Sequence, residues 1–304
     1  LCFFLCLRIY LSIAEWRFGS IFIFNKCAIV GLGLIGGSLG LALRQNKLVN
    51  AVIGYDPDWR TCQLARQMGA VDETISDLTG INEADLVVLA TPVSTTIELL
   101  PTVVRHAPPR SVVMDTGSTK TEIVHQAARF FPPSGTRVFI GGHPLAGSEK
   151  NGITAARPDL FHNAVFVLVL PSGVESVPSA LLALLQAIGA RPFLLEAAEH
   201  DRAVALISHL PHLIAACLAS TVRKAQSPEI LRSLAAGGWR DTTRVARGRP
   251  ALWADILLSN ADHLLPAIES LQEQLTMVKD MLARQDRQSL HLFLERARQF
   301  LIAK

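Results

Sequence analysis

Residues 27–38, CAIVGLGLIGGS, set a short β-branched and aliphatic run directly against a glycine-rich turn and then a helix-favouring stretch. Few folds accept that order. A strand that ends in G-x-G-x-x-G and feeds a helix opens a βαβ unit. In such a unit Gly31 makes the turn, Gly33 lets the backbone approach an anion, and Gly36 allows the helix to pack closely on the strand. The helix start, at Leu34 and Ile35, offers free N–H groups and a favourable dipole to a pyrophosphate. The glycine pattern alone is common, and its setting makes it specific. Asp56, 20 residues beyond Gly36, closes the next apolar run, AVIGY. A carboxylate there accepts hydrogen bonds from adenosine ribose hydroxyls and repels a 2′-phosphate, so the motif predicts NAD over NADP. Arg60, four residues on, is the opposing feature, since it can reach toward a phosphate. Asp56-Pro57-Asp58 also reads as an ordinary turn and helix cap, but its position at a strand end favours the ribose role.

Further β-like runs follow at 51–55, 86–90, 111–115, 137–141, 165–170 and 191–195, alternating with helix-like stretches. With the first, they make seven strands, the pattern of a parallel sheet with crossover helices. After about Ala198 the β-runs stop. Pro211, Pro228, Gly237, Gly238 and Pro250 punctuate helical patterns to the end of the sequence. The expected fold class is α/β, with a Rossmann-type doubly wound sheet over 27–197 followed by an all-helical domain over 198–304. Leu264, Ile268, Leu271, Leu275, Val278 and Leu282 alternate steps of four and three, a seam that packs on another helix either within the chain or in a homodimer; the length of the stripe favours the dimer.

The first 26 residues are apolar but broken by Arg8, Glu15 and Arg17, and read as an extension outside the fold rather than a membrane span. Composition narrows the partners. The net charge of +3 comes from interspersed basic and acidic residues, which argues against nucleic acid and leaves a small acidic ligand compatible. Five cysteines without a CxxC pair indicate neither a disulfide framework nor a zinc site, and no motif calls for a metal. A reducing cytoplasm is the expected location.

The loop Ala90-Thr91-Pro92-Val93-Ser94 leaves another strand end, where Thr91 and Ser94 are candidates for cofactor contact, although Ser94 equally suits a helix cap. Three polar clusters lie further on. They are Asp115 to Lys120 (DTGSTK), Gly141 to Lys150 (GGHPLAGSEK) and Ser208 to His212 (SHLPH), the last followed by Arg240 to Arg244 (RDTTR). A histidine between glycines and a proline just past a strand, as His143 is, suits a base that takes a hydroxyl proton during hydride transfer, provided the imidazole is neutral. Each residue taken singly has a structural reading. Ser118 suits a helix cap, His209 and His212 suit core histidines, and Arg244 suits a surface ion pair.

Taken in order, GLGLIGGS, DTGSTK, GGHPLAGSEKNG, SHLPH and RDTTRVARGRPALW resemble the prephenate/arogenate dehydrogenase family from Cys27 to about Leu301. The resemblance implies oxidative decarboxylation of a cyclohexadienol acid, prephenate or arogenate, with NAD. It makes His143 the acceptor for the ring hydroxyl and Ser118 a partner that orients it. It puts His209 and His212 in the substrate pocket and pairs Arg244 with a substrate carboxylate. Glu149, Arg240 and Asp241 become charged neighbours of the entrance, and Trp253 matches a position able to reach the partner subunit's site. Asp201 would lie near the substrate side chain, where its charge favours an ammonium. The remaining histidines, His200 among them, read as surface or structural. The rival enzyme class, β-hydroxyacid dehydrogenases, relies on a helical lysine that does not stand out here, and a non-catalytic NAD sensor is the rival outside enzymes.

Overall fold

The computed structural model describes residues 22–303. Eight strands form one sheet in the order β3-β2-β1-β4-β5-β6-β7-β8. They are β1 (Phe24–Val30), β2 (Val49–Tyr55), β3 (Glu73–Thr74), β4 (Leu86–Leu89), β5 (Val112–Asp115), β6 (Val138–Pro144), β7 (Val165–Val169) and β8 (Arg191–Leu194). All neighbours pair in parallel except β6 with β7. Between them run α1 (Leu34–Gln45), α2 (Trp59–Gln67), α3 (Val93–His106), α4 (Thr121–Phe130) and α5 (Ser179–Ala187).

The central strands are buried on both faces, which is why β4 and β5 read as unbroken apolar runs instead of alternating. Side chains still divide by parity. Cys27 and Ile29 of β1 join a core with Leu39 and Leu43 of α1, Ala65 of α2 and Leu184 of α5. Ala28 and Val30 face the other way, into a core with Leu100 and Val103 of α3 and Ile123 and Ala127 of α4. The strand order reverses between β1 and β4, and that crevice at the carboxyl edge is where doubly wound sheets take ligands.

Everything after β8 is helical: α6 (Ala197–Val204), α7 (Leu210–Arg223), α8 (Pro228–Ser233), α9 (Gly237–Thr243), α10 (Pro250–Ser259), α11 (Ala261–Ala283) and α12 (Arg287–Ile302). A π-turn over Ala205–His209 joins α6 to α7 without a break. The joined stretch, Ala197–Arg223, is long and apolar enough to cross a membrane by length and composition. Here it packs against α9 and α11 and carries the buried polar side chains of His200, Asp201, His209 and His212.

Three expectations change. The sheet starts at Phe24, not Cys27: Phe24 is buried, stands opposite Val49, and Ile23 N–H donates to Leu48 O. The rest of the expected extension, residues 1–21, lies outside the described residues. An eighth strand, β3, has only two exposed residues and so leaves no hydrophobic pattern to read. Finally, His143 lies within β6 rather than in a loop beyond it, because antiparallel β7 pairs with Gly141–Pro144 and sets Val167 opposite His143.

Candidate active site at the domain junction

The glycine loop has the geometry that its sequence predicts. Gly31 has φ +93°, and a Cβ there would lie 2.4 Å from the Ala90 carbonyl oxygen. A Cβ on Gly36 would lie 1.9 Å from Gly31 O, so α1 sits as close to the turn as a glycine permits. A Cβ on Gly33 would meet nothing within 4 Å. The backbone around Gly33, Leu34 and Ile35 is therefore open on the side where α1 presents its first N–H groups, which suits a pyrophosphate. Asp56 closes β2 beside this loop, with Oδ2 accepting from Leu32 N–H at 3.0 Å and Oδ1 from Asp58 N–H at 3.0 Å. On the β4 side of the crevice, the hydroxyls of Thr91 and Thr96 lie 2.8 Å apart. Ser94 neither caps α3, whose N-cap is Pro92, nor is free: its N–H donates to Asp255 of α10 at 3.3 Å.

The next two strand ends are tied by Asp115, which sequence reasoning quoted but gave no role. Its Oδ2 accepts from Gly117 N–H at 2.7 Å and from the Lys120 ammonium, and its Oδ1 accepts from Gly142 N–H at 3.0 Å. One carboxylate thus locks the DTGSTK turn to the strand that carries His143. Lys120 and Asp115 are both wholly buried, and a buried pair of this kind, its carboxylate accepting three hydrogen bonds, holds geometry more than it adds stability. Burial lowers the Lys120 ammonium from its ordinary value, against the opposing pull of Asp115 and Asp201.

Across the junction stands an array of histidines. His143 Nδ1 lies 2.8 Å from His200 Nε2, the rings meeting edge to face at 79°. His200 Nδ1 lies 2.7 Å from Asp201 Oδ1. The Asp201 carboxylate also accepts from Lys120 N–H at 2.7 Å and Thr121 N–H at 2.8 Å, so it caps α4 from the helical domain. Burial alone would raise this carboxyl; hydrogen bonds from His200, Thr121 and the Lys120 amide outweigh it and hold the group down at about 2. Burial, reinforced by His200, Lys120 and His209, pushes the His143 imidazole well below the usual histidine range, so it is neutral at pH 7.

The π-turn decides which face His209 occupies. Nine residues of regular helix would put His209 roughly half a turn away from His200; the extra residue of a π-turn sets it back by about 100°, toward the same side. Asn260 then bridges the two segments, its Nδ2 lying 2.8 Å from the Asp201 carbonyl oxygen and 3.0 Å from His209 Nδ1. A carbonyl oxygen only accepts, so the Asn260 atom is the nitrogen, His209 Nδ1 accepts from it, and the His209 proton sits on Nε2. Burial lowers His209 to about 4, also neutral. His212, one turn on, stacks on Trp253 with ring centres 3.5 Å apart, and its Nδ1 is the one buried side-chain polar atom among the described residues with no hydrogen-bond partner.

Several assignments change as a result. Ser118 is half-buried, neither caps α4 nor makes a hydrogen bond to His143 among the described residues; His200, set aside as structural, is what holds the ring. Asp201 is buried and its oxygens are committed to the protein, so it offers no charge to a substrate ammonium. Trp253 stacks on His212 of its own chain, and its reach toward a partner subunit's site stays tied to the proposed homodimer. Arg244 and Glu149 are brought together as a partly exposed ion pair at 3.0 Å, whereas Arg240 and Asp241 are exposed and join neither of them among the described residues. The sequence did hold a signal for His200, an adjacent aspartate one helical segment before SHLPH, but nothing local shows that β6 approaches it.

A dinucleotide cradle at the switch point, with a neutral histidine array on the same sheet edge, defines a two-domain nicotinamide-dependent dehydrogenase. Residues 39–191 match the family model described as prephenate dehydrogenase, nucleotide-binding domain, and residues 196–296 match prephenate dehydrogenase, dimerization domain. The chain is 36% identical to prephenate dehydrogenase of Lactococcus lactis over 89% of this chain and 75% of that one. Among solved structures, it superposes on A. aeolicus prephenate dehydrogenase in complex with hydroxyphenyl propionate and NAD+ with a TM-score of 0.84, at 27% identity over 91% and 97% of the two chains. It superposes on Synechocystis arogenate dehydrogenase with a TM-score of 0.74, at 33% identity over 90% and 98%. The chain belongs to the prephenate dehydrogenase family, and it is an NAD-dependent dehydrogenase.

Proposed function

We propose that the protein oxidises and decarboxylates a cyclohexadienol acid, prephenate or arogenate, to the corresponding phenol in tyrosine biosynthesis. The observation that carries this reading is the neutral His143, held at the sheet edge that also bears the glycine cradle. Bound in that cradle, NAD supplies the acceptor for the hydride leaving ring C4. His143 takes the C4 hydroxyl proton. The ring carboxylate leaves as CO₂, the electrons of the broken C–C bond enter the ring, and the proton returns from His143 to the phenolic oxygen. Aromatisation drives the sequence forward, so the residues orient and place charge more than they activate. Arg244 has the planar fork that pairs with a carboxylate, and a substrate carboxylate would take the place that Glu149 holds. His209 Nε2–H and the unpartnered His212 Nδ1 are further polar atoms for the substrate. Ser118 stands in the turn before α4, and its hydroxyl, without a hydrogen-bond partner among the described residues, would be open to a bound substrate or cofactor. Lys120, bound to buried Asp115, is not available as the free lysine of the β-hydroxyacid class.

The assembly we propose is a homodimer through the helical domain. Along α11, Leu264 is buried in the chain, but Leu275 and Leu282 are exposed, and the apolar stripe continues where this chain offers no cover. A cytoplasmic location suits the free thiols of Cys27, Cys62 and Cys217. The decisive assay follows NADH formation from prephenate and from arogenate, with NAD and with NADP, beside a His143→Asn variant. Turnover by the protein that falls by about 10²-fold or more in the variant is expected. No turnover with either acid would end this reading.

A further inference from the structure

We infer that His200 and Asp201 fix which nitrogen of His143 carries the proton, making them positioning residues for the base; this rests on the proposed role of His143. The inference follows a chain of donors from a fixed end. The two Asp201 oxygens accept from the backbone N–H groups of Lys120 and Thr121, donors that cannot turn away. The carboxylate therefore stays an acceptor, and the hydrogen in its 2.7 Å contact with His200 Nδ1 belongs to the histidine. An imidazole with one proton, on Nδ1, has a bare Nε2. That bare nitrogen faces His143 Nδ1 at 2.8 Å, so His143 is the donor there. Its own single proton is thereby placed on Nδ1, and the lone pair stands on Nε2, free to take a hydroxyl proton.

The relay has a direction, and it can be reversed. A second proton on His200 would turn its Nε2 into a donor, force His143 Nδ1 to accept, and move the His143 hydrogen onto Nε2, where it blocks the base. The charged and titratable groups around the pair are Lys120 and Asp115 at the β5–α4 turn, Asp201 on α6 and His209 on the π-turn. When His143 takes the substrate proton, no proton has to travel further. The imidazolium keeps its Nδ1–H on His200, one ring away from the Asp201 charge. The logic matches that of an aspartate holding a catalytic histidine in its correct tautomer, with a second histidine interposed.

The test pairs a spectrum with two variants. In ¹⁵N-labelled protein at neutral pH, without ligands, the His143 ring, identified by its loss in His143→Asn, should show a protonated Nδ1 and a bare Nε2. His200→Leu removes the acceptor, and His200→Gln keeps an amide oxygen able to accept from His143 Nδ1. The leucine variant should lose about 10²-fold or more in kcat with KM for the acid little changed, and show a mixture of His143 tautomers. The glutamine variant should recover much of kcat and the single tautomer. A proton on His143 Nε2 in the unaltered protein, or a leucine variant with undiminished kcat, would overturn the inference. If the leucine variant does not fold, the spectrum of the unaltered protein still decides. Should the protein turn over neither acid, the reaction assignment fails separately, and the tautomer remains measurable.

Discussion

Two glycines three residues apart, Gly33 and Gly36, should respond to the same added methyl in opposite ways. At Gly33 the backbone has φ −74°, open to any L-residue, and a Cβ has nothing within 4 Å. For stability, two small effects then oppose each other. Alanine reduces the freedom of the unfolded chain, a gain of about 0.4–1 kcal/mol, and is a poorer N-cap than glycine by a similar amount. Gly33→Ala should therefore melt within a few degrees of the unaltered protein. Its methyl, however, fills the approach to the N–H groups of α1. Losing one charge-assisted hydrogen bond to a pyrophosphate costs about 1.5–3 kcal/mol, which raises the Kd for NADH roughly 10- to 100-fold. At Gly36 the Cβ would fall 1.9 Å from the Gly31 carbonyl oxygen, and Gly31 cannot retreat because it packs on Ala90. Forcing that contact costs roughly 1–3 kcal/mol or more, a fall in Tm of roughly 2–12 °C. Thermal melts and an NADH fluorescence titration on both variants separate the effects. Tight NADH binding by Gly33→Ala would refute the pyrophosphate position, and an unchanged Tm for Gly36→Ala would refute the packing.

Arg244→Lys should raise KM for the acid roughly 10-fold or more while barely moving Tm, because its pair with Glu149 is half exposed and worth about 1 kcal/mol at most; steady-state kinetics beside a melt checks both. Stability should decline in acid from an early point. His209 titrates at about 4 in the fold against 6.5 when free, so its neutral form is stabilising above pH 6.5 and the unfolded chain gains the proton first as pH falls toward 4, at about 1.4 kcal/mol per unit. Asp201, held at about 2 against 3.8, adds a second loss only as pH falls from 3.8 toward 2. His143 and His212, also lowered by burial, add to the first slope, so urea midpoints across pH should show it and His209→Gln should reduce it by the share of one histidine without abolishing it. Leu275→Glu with Leu282→Glu, both on exposed positions of α11, should leave the single chain folded and shift sedimentation from dimer to monomer; a dimer that survives places the interface elsewhere.

What the sequence made legible was local. The Gly31 turn, the helix that follows, Asp56 at the end of β2 and the change from alternating strands to helices after β8 all depend on residues close together in the chain. What stayed hidden depends on distant pairing. His143 became part of a strand because β7 returns antiparallel beside it, and no pattern within 141–144 encodes that. His200 looked structural because nothing in Glu199-His200-Asp201 points beyond its own helix. Its partner is 57 residues away on another domain. Asp201 was misread for the same reason: its charge seemed free until α4 arrived to claim it with the N–H groups of Lys120 and Thr121.

That last contact joins two tasks in one carboxylate. Asp201 belongs to the helical domain and caps a helix of the sheet domain, so it is part of how the domains dock, as Thr119 with Ser259 and Ser94 with Asp255 also are. The same oxygens set the tautomer chain through His200 to His143. On the far side of Asp201, its backbone carbonyl holds Asn260, which gives His209 the opposite arrangement, with hydrogen on Nε2. One residue therefore lies at the root of both tautomers, the bare His143 nitrogen that would take a proton and the His209 N–H that would face the substrate in the proposed reaction. It follows that a change which loosens the domain junction, such as Ser259→Ala with Asp255→Ala, acts on the base before it acts on either core. Those side chains belong to neither apolar cluster of the sheet, so Tm should stay near its original value while kcat falls more than NADH affinity does. A fall in NADH affinity alone would mean that the junction serves the cradle, and that the histidine relay is held by the sheet domain's own packing.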